Sequence, residues 1–406
     1  MTKKEQHPRS SLWIAAVIFA AAAITAPAAP AQAPTTKPTC NGTDAFPSPG
    51  CSPVYFFQGG TDGGDPVGGV ALSASGALYG TTTGGGVNSG TVYEMTPPTV
   101  KGALWNYTLL HSFESTDGAN PDAPLVIATN GVIYGTTPNG GNGSSCGTVF
   151  AMTPPAAPGG SWTFNTIYTF LGGNDGCHPW WAGVVIGKNG VLYGTTSYGG
   201  GPGNSGSGYG AVFELTPPVP PGAAWTEAIL YSFTGGSDGA LPQASLLFTN
   251  GLLYGTAYSG GIAACGALST EGCGVVFELK QHTGGAWVQT VLHTFTGGND
   301  GGLSSAALVI KAGALYGTTS QEDSFYDNNG DCNWGWGCGT VFELAPPTVP
   351  GGAWTENVLY HFQPAPNPPG YGYDGSVPVG GVVFGAHGSL YGTTAFGPPF
   401  VSGTIF

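Results

Sequence analysis

The chain has 406 residues, of which only 7% are charged, and its formal net charge at pH 7 is −14. Arg9 is the single arginine, so the chain lacks the guanidinium groups that bind phosphate through two parallel hydrogen bonds. Its negative field also repels polyanions. This composition makes nucleic acid and anionic membrane surfaces poor candidates as partners, and we expect no nucleic acid to be bound.

The first residues have the pattern of an export signal. Lys3, Lys4 and Arg9 precede an alanine-rich apolar stretch at residues 12–25, and Ala31-Gln32-Ala33 provides an A-x-A cleavage site. An uncleaved membrane anchor is the alternative, but the apolar stretch is short for a span. We therefore expect cleavage, no membrane insertion afterwards, and a secreted, extracellular or periplasmic protein, with cell-surface association left open. The predicted divisions are a signal peptide, a linker and a β-propeller repeat domain, over residues 1–33, 34–53 and 54–406.

One short phrase, Leu/Ile-Tyr-Gly-Thr-Thr/Ala, occurs six times along the chain. Its copies begin at Leu78, Ile133, Leu192, Leu253, Leu315 and Leu390. A fixed unit with insertions of variable length is the sequence signature of a repeat architecture.

Each unit contains four strand-like runs in the same order, as the second unit illustrates. A short apolar run at residues 125–128 is followed by Asn130-Gly131, which favours a tight hairpin, and then by the Ile133 phrase. After a glycine-rich loop comes a third run at residues 147–150, and a fourth run opens on Trp162. The β-branched and aromatic content of these runs predicts sheets of four antiparallel strands.

A connector with an Asp-Gly pair follows each fourth run. The six aspartates are Asp62, Asp117, Asp175, Asp238, Asp300 and Asp374. An aspartate before glycine closes a turn through its own backbone bonds, which we prefer to a metal-binding ring of carboxylates. The connector is expected to cross from the outermost strand of one sheet to the innermost strand of the next.

The number of runs predicts a closed ring. The last unit ends at Phe406 after its third run, whereas Val54–Phe57 at the other end is a fourth run without companions. If this N-terminal strand completes the last blade, the fold is all-β, a six-bladed β-propeller with four antiparallel strands per blade. An open solenoid is the alternative, but it normally needs capping units at both ends.

The pattern G-x-L-Y-G-T-T, a glycine-rich loop and G-T-V-F-E-L-x-P together resemble the GloVer tandem repeats of secreted bacterial proteins. The resemblance covers about residues 54–406 and rests on six copies. It implies an exported, propeller-like body, often tethered by a C-terminal anchor, and it brings no catalytic residues. Since the sequence stops at Phe406, release from the cell and an anchor outside this sequence are both open.

Eight cysteines in an exported chain predict disulfides rather than thiolate metal sites. Proximity pairs three sets and leaves one pair over. The predicted bonds are Cys40–Cys51, Cys265–Cys273, Cys332–Cys338 and Cys146–Cys177.

Because strand direction alternates, the second-to-third loops and the Asp-Gly connectors are expected on one face, where binding would occur. In the fifth unit, Tyr326, Trp334 and Trp336 would offer flat apolar faces to a sugar ring. Alternatively, the aromatics of this loop cover one another. Asp327, Asn329 and Asp331 alternate like oxygen ligands, so a structural Ca²⁺ is a further expectation, although the glycine position and the missing distal glutamate depart from an EF-hand. No other cofactor is expected.

The second candidate site lies in the connector between the second and third units. Asp175, His178, Trp180 and Trp181 place a titratable ring and two large aromatics on one loop. They would bind a ligand there; the alternative is that the tryptophan pair fills the rim between blades.

Three classes of function remain open on the sequence. The first is a secreted or surface binding and scaffold protein that recognises a carbohydrate or a surface protein. The second is a propeller-type glycoside hydrolase or polysaccharide lyase, which needs paired carboxylates that sequence spacing does not identify. The third is a purely structural matrix or coat component. A binding protein is preferred because the chain has no catalytic motif, and enzyme activity is left uncertain.

Overall fold

The structure is a computed structural model that describes most of the repeat domain. The described residues are 54–100, 103–141, 143, 145–157, 159–201, 208–219, 222–261, 265, 272–321, 338–362, 375–396 and 403–406. Within these ranges the regular structure is β, with short 3₁₀ turns at Lys188–Gly190 and Ala386–Gly388. No helix in the described part is long and apolar enough to cross a membrane.

In the part of the chain that the structure describes, twenty-two strands follow one another. Sheet 1 contains β1 (Ala71–Leu72), β2 (Leu78–Thr82), β3 (Thr91–Thr96) and β4 (Asn106–Ser112). Sheet 2 contains β5 (Val126–Ile127), β6 (Ile133–Thr137), β7 (Thr148–Thr153) and β8 (Thr163–Thr169). Sheet 3 contains β9 (Val185–Ile186), β10 (Leu192–Thr196), β11 (Ala211–Thr216) and β12 (Thr226–Ser232).

The remaining strands repeat the same order. Sheet 4 contains β13 (Leu247–Thr249), β14 (Leu252–Ala257), β15 (Val275–Gln281) and β16 (Trp287–Thr294). Sheet 5 contains β17 (Val309–Lys311), β18 (Ala314–Thr319), β19 (Thr340–Ala345) and β20 (Thr355–His361). Sheet 6 contains β21 (Val383–Phe384) and β22 (Leu390–Tyr391).

Five of the sheets have four strands each, hydrogen-bonded antiparallel in chain order, as the repeat predicted. The repeated phrase forms the second strand, and its tyrosine faces the glutamate of the third strand, for example Tyr193 opposite Glu214. The glycine of the phrase is required because the phenylalanine of the third strand lies over it: a Cβ at Gly135 would collide with the ring of Phe150. Local sequence therefore determines the register of these two strands.

Phenylalanine pairs join successive sheets. Phe113, just after the fourth strand of sheet 1, packs edge-on against Phe150 in the third strand of sheet 2, with ring centroids 5.3 Å apart. The equivalent pairs are Phe170–Phe213, Phe233–Phe277, Phe295–Phe342 and Phe362–Phe406. The core is thus a series of apolar layers between sheets, and the overall arrangement is propeller-like.

Threonines of the phrase also tie the second strands of sheets 2 to 5 to the next sheet, whereas the equivalent Thr81 Oγ1 in sheet 1 has no hydrogen-bond partner among the described residues. Thr136 Oγ1 donates to the Ala182 carbonyl at 2.9 Å, and Thr195 Oγ1 donates to the Ala244 carbonyl at 3.1 Å. These bonds satisfy buried polar groups near the innermost strands.

The two chain ends differ from the interior of the repeat. Sheet 6 is two-stranded, although Phe406 exchanges both backbone hydrogen bonds with Gly392 and so continues it. Residues 54–57 form no regular strand, but Phe57 packs on Tyr93 of sheet 1, with ring centroids 5.0 Å apart. This contact resembles the phenylalanine pairs between the other sheets. The described structure therefore contains five complete sheets and a shorter sixth.

Candidate functional site

Each crossing, meaning the segment between a fourth strand and the next first strand, runs beside the end of a second strand. Isolated bridges join them, for example Ala119 with Asn139 and Cys177 with Tyr198. The crossings and the second-to-third loops therefore share one side of the sheets, here called the looped face.

The Asp-Gly aspartates close turns at the start of the crossings. Asp175 accepts hydrogen bonds from the backbone N–H of Leu171 at 2.6 Å and from the hydroxyl of Tyr168 at 2.8 Å. Asp238 accepts the equivalent pair from Thr234 and Tyr231. Asp175 thus has the bonding pattern of a turn-closing residue as well as being a predicted site residue.

A left-handed residue follows in every crossing. These residues are Asp65, Asn120, His178, Leu241, Leu303 and Val377, all with φ between 53° and 56°. In five crossings the next core residue comes five positions later, as Leu125 does after Asn120. The crossing into sheet 3 is one residue longer, because Val184 comes six positions after His178. Trp181 accommodates the extra residue with a second left-handed conformation, φ 52°.

The inserted residue is exposed beside a half-buried acid. Trp181 has 49% of its surface exposed, and its backbone N–H donates to Asp122 Oδ1 at 3.2 Å. Asp122 belongs to the preceding crossing, and its burial raises the pKa of its carboxyl group to about 7 despite that hydrogen bond. The insertion therefore brings an exposed tryptophan and a carboxyl group with a raised pKa into neighbouring positions.

His178 and Trp180 form an aromatic cluster with Tyr198. The His178 ring stacks on Trp180 at 5.3 Å, and Tyr198 meets Trp180 edge-on at 5.4 Å. His178 Nδ1–H donates to the Pro138 carbonyl at 2.7 Å, which fixes the orientation of the ring. Trp180 is therefore largely engaged by its neighbours, whereas Trp181 faces solvent.

An open cleft of about 330 Å³ lies over this cluster. It is lined by Cys146, Gly172, Gly173, Cys177, His178, Trp180 and Tyr198. His178, Trp180 and Tyr198 give it an aromatic lining, and the Cys146–Cys177 disulfide also lines it. Aromatic walls and a few polar atoms are suited to an uncharged organic ligand.

Two of the predicted disulfides are present. Cys146 is bonded to Cys177, and Cys265 is bonded to Cys273. Cys338 is also disulfide-bonded, whereas its expected partner Cys332 lies outside the described residues, as do Cys40 and Cys51. The Cys146–Cys177 bond connects the loop of sheet 2 to the crossing that carries His178, so it fixes one wall of the cleft.

The fifth-unit predictions fall outside the described part of the chain. They concern Tyr326, Trp334 and Trp336 as sugar contacts and Asp327, Asn329 and Asp331 as calcium ligands. In the described ranges no group of three or more His, Cys, Asp or Glu side chains is arranged to hold a metal ion.

Sequence reasoning missed Asp122 and Tyr198. Asp122 occupies a position taken by Val67 and Gln243 in other crossings, so its chemistry is not repeated and did not attract attention. Counting residues between the crossing proline and the next apolar run would have revealed the extra residue at Trp181.

These observations define the class of protein: an all-β repeat protein of four-stranded antiparallel sheets with a propeller-like arrangement. The model of the Gloeobacter/Verrucomicrobia repeat matches residues 47–269. The chain belongs to this repeat family, as its tandem phrase indicated. No curated protein gives a significant match.

Solved structures with similar backbones include several carbohydrate-active enzymes. The alpha-L-arabinanase of Cellvibrio cellulosa, complexed with arabinohexaose, is 13% identical, with a TM-score of 0.38 over 72% of this chain and 95% of its own. The Hadza microbial sialidase Hz136 is 13% identical, with a TM-score of 0.39 over 73% of this chain and 58% of its own. An ancestral GH74 enzyme is 15% identical, with a TM-score of 0.37 over 74% of this chain and 34% of its own. Likenesses this distant assign neither activity nor ligand.

Proposed function

We propose that this protein is a secreted or cell-surface binding protein whose looped face recognises carbohydrate. The observation that carries the proposal is the inserted Trp181, which is exposed and whose backbone N–H is bonded to the Asp122 carboxyl group. An exposed indole offers an apolar face against which the C–H groups of a sugar ring pack. A neighbouring carboxyl group accepts or donates a hydrogen bond to the hydroxyls at the ring edge.

The charge distribution favours an uncharged glycan. After signal removal the sequence keeps five lysines and 21 acidic residues, a net charge of −16. The lysines in the described ranges, Lys188, Lys280 and Lys311, lie in turns or at strand ends on the side away from the looped face. An anionic polysaccharide would meet a negative field at the looped face, where none of these three lysines can pair with its carboxylates or sulfates.

Export supports the same proposal, because a disulfide-bonded chain is suited to an oxidising compartment where polysaccharides are encountered. Tyr326, Trp334 and Trp336 remain proposed as additional sugar contacts, and Asp327, Asn329 and Asp331 as a calcium site. A surface protein as the ligand is the remaining form of the binding proposal.

Binding to immobilised polysaccharides tests the proposal. We expect the mature chain to be retained in gels containing an uncharged glycan, and Trp181→Ala to lose at least tenfold in affinity. Leu171→Ala is the matched control, because Leu171 is 68% exposed in the same crossing and lies outside the proposed contact. Equal retention of Trp181→Ala and the unaltered chain would contradict the role of Trp181. Lack of retention on every uncharged glycan would leave a structural or protein-binding role.

A glycoside hydrolase is the second candidate, favoured by Asp122 alone. A carboxyl group with a pKa of about 7 is suited to protonate a leaving oxygen. Release of reducing ends from a bound glycan, abolished by Asp122→Asn while retention persists, would establish this activity; retention without release supports binding only.

The closed six-bladed ring is part of the proposal. Tyr55 donates to Asp62 at 3.0 Å and stacks on Tyr107, as a residue in a fourth strand does at the later crossings. Val54–Phe57 therefore occupies a fourth-strand position relative to sheet 1. We infer that it completes sheet 6 by pairing with Gly403–Phe406.

A further inference from the structure

The crossings contain a second repeated hydrogen bond, made to the backbone carbonyl of the Asp-Gly aspartate. Tyr107, the second residue of β4, donates its hydroxyl to the Asp62 carbonyl at 2.8 Å. Gln289, in the equivalent place of β16, donates Nε2–H to the Asp238 carbonyl at 3.0 Å. In both cases a neutral donor from the fourth strand of one sheet is bonded to the crossing that enters that sheet.

Glutamate occupies the same place in sheets 3 and 5. Gln289 lies opposite Leu279 in its sheet, and Glu227 and Glu356 lie opposite the corresponding leucines, Leu215 and Leu344. Oε1 of each glutamate is buried and has no hydrogen-bond partner. A carboxylate cannot donate to a carbonyl, whereas a carboxylic acid can.

We propose that Glu227 and Glu356 are held as neutral carboxylic acids that donate to the carbonyls of Asp175 and Asp300. In acidic solution each protonated glutamate then connects the fourth strand of its sheet to the crossing that enters that sheet. The hydrogen bond is lost when the glutamate loses its proton. The proposal is independent of what the looped face binds.

The groups around each glutamate support this assignment. Glu227 faces Tyr168 and Asp175, and burial first and the Asp175 charge second raise its pKa to about 7. Glu356 faces His293, Asp300 and His361; burial raises its pKa, Asp300 adds to the rise, and the two histidines oppose it. Both shifts therefore favour the protonated form over the charged one.

The proposed hydrogen bond from Glu227 to Asp175 also adjoins the candidate site. The turn from Leu171 to Asp175 supplies Gly172 and Gly173 to the cleft. Loss of the proton from Glu227 would place two carboxylates together beneath this turn. Glu227 is therefore a positioning residue for the cleft wall.

The sign of the pH effect follows from the raised pKa values. Stability from these two groups is fully present below the unfolded pKa, 4.5 for glutamate, and is lost as pH rises through about 7 for Glu227. Glutamine keeps the donor at every pH, as Gln289 does. The variant Glu227→Gln/Glu356→Gln should therefore match the unaltered chain at pH 4 and melt several degrees higher at pH 8.

Thermal unfolding of both chains from pH 4 to pH 9 tests the proposal. Glu94→Gln is the control: Glu94 accepts a hydrogen bond from Tyr79, and the uncharged amide oxygen of glutamine is a weaker acceptor, so this variant should melt lower, not higher, at pH 8. Parallel curves for the unaltered chain and the double glutamine variant would overturn the proposal.

A titration of the unaltered chain keeps the proposal falsifiable if the variant fails to fold. Carboxyl carbon chemical shifts of labelled glutamate should show two groups that titrate above the others. Titration of every glutamate near its ordinary pKa would overturn it.

Discussion

Tyr79 of sheet 1 packs edge-on against Trp162 of sheet 2, with ring centroids 5.6 Å apart and ring planes at 63°. The tyrosine belongs to the repeated phrase and the tryptophan opens the next unit's fourth run. The same contact joins Tyr134 to Trp225, Tyr193 to Trp287 and Tyr254 to Trp354. Two residues that are far apart in each unit thus form one aromatic joint between neighbouring sheets.

Removal of one such joint should destabilise the whole domain. Trp162→Ala leaves a cavity beside Tyr79 and should lower the free energy of unfolding by about 3 kcal/mol, the lower end for such truncations because Trp162 is half-buried. Trp162→Phe keeps an aromatic ring and should lose less than half of that. Denaturant unfolding measures both. A loss below about 0.5 kcal/mol for Trp162→Ala would show that this aromatic contact contributes little to the stability of the domain.

Sheet 2 lacks a hydrogen bond that other sheets have. Tyr79 donates to Glu94 at 2.7 Å and Tyr316 donates to Glu343 at 2.6 Å, but Tyr134 faces Ala151 in the same register. Ala151→Glu should supply the missing acceptor and stabilise the domain by about 0.5–1.5 kcal/mol. Ala151→Leu is the control, because it adds volume without an acceptor. Equal effects of both variants would attribute the gain to packing alone.

The sequence was informative where residues recur. The second strands, the turn closed by Asp175 and the Cys146–Cys177 bond follow from local chemistry repeated in each unit or from the count of cysteines. Asp122 and Trp181 were harder to recognise in the sequence. The desolvation of Asp122 and the exposure of Trp181 both depend on how neighbouring sheets pack. A raised carboxyl pKa is a property of that packing and has no local signal.

The two described disulfides should differ in their contribution to stability. Cys146–Cys177 spans 31 residues and Cys265–Cys273 spans 8. Because a longer loop loses more chain entropy when it is closed, replacing the first pair by serine should cost about 3–4 kcal/mol and the second about 2–3 kcal/mol. Denaturant unfolding of the two double variants measures this. Replacing the first pair should also weaken glycan retention, because this disulfide fixes one wall of the cleft. An unchanged affinity would show that the glycan binds elsewhere than in the cleft.

Ring closure can be tested by a covalent bond across the proposed seam. Thr91 pairs with Ser112 in sheet 1, and the equivalent residues at the two chain ends are Thr404 and Phe56. If Val54–Phe57 completes sheet 6, Phe56→Cys/Thr404→Cys should form a disulfide in oxidising buffer, because directly paired strand residues lie within bonding reach. Phe56 is 61% exposed, so its replacement should cost little.

A pair of cysteines that the closed ring does not bring together is the control for this experiment. Phe56→Cys/Leu359→Cys places the second cysteine on β20, which the closed ring keeps away from the N-terminal strand. Peptide mapping by mass spectrometry should find the bond between residues 56 and 404 and none between residues 56 and 359, with a raised melting temperature only for the first. A bond that forms between two molecules instead would indicate that the ends of separate chains pair and that the ring is open.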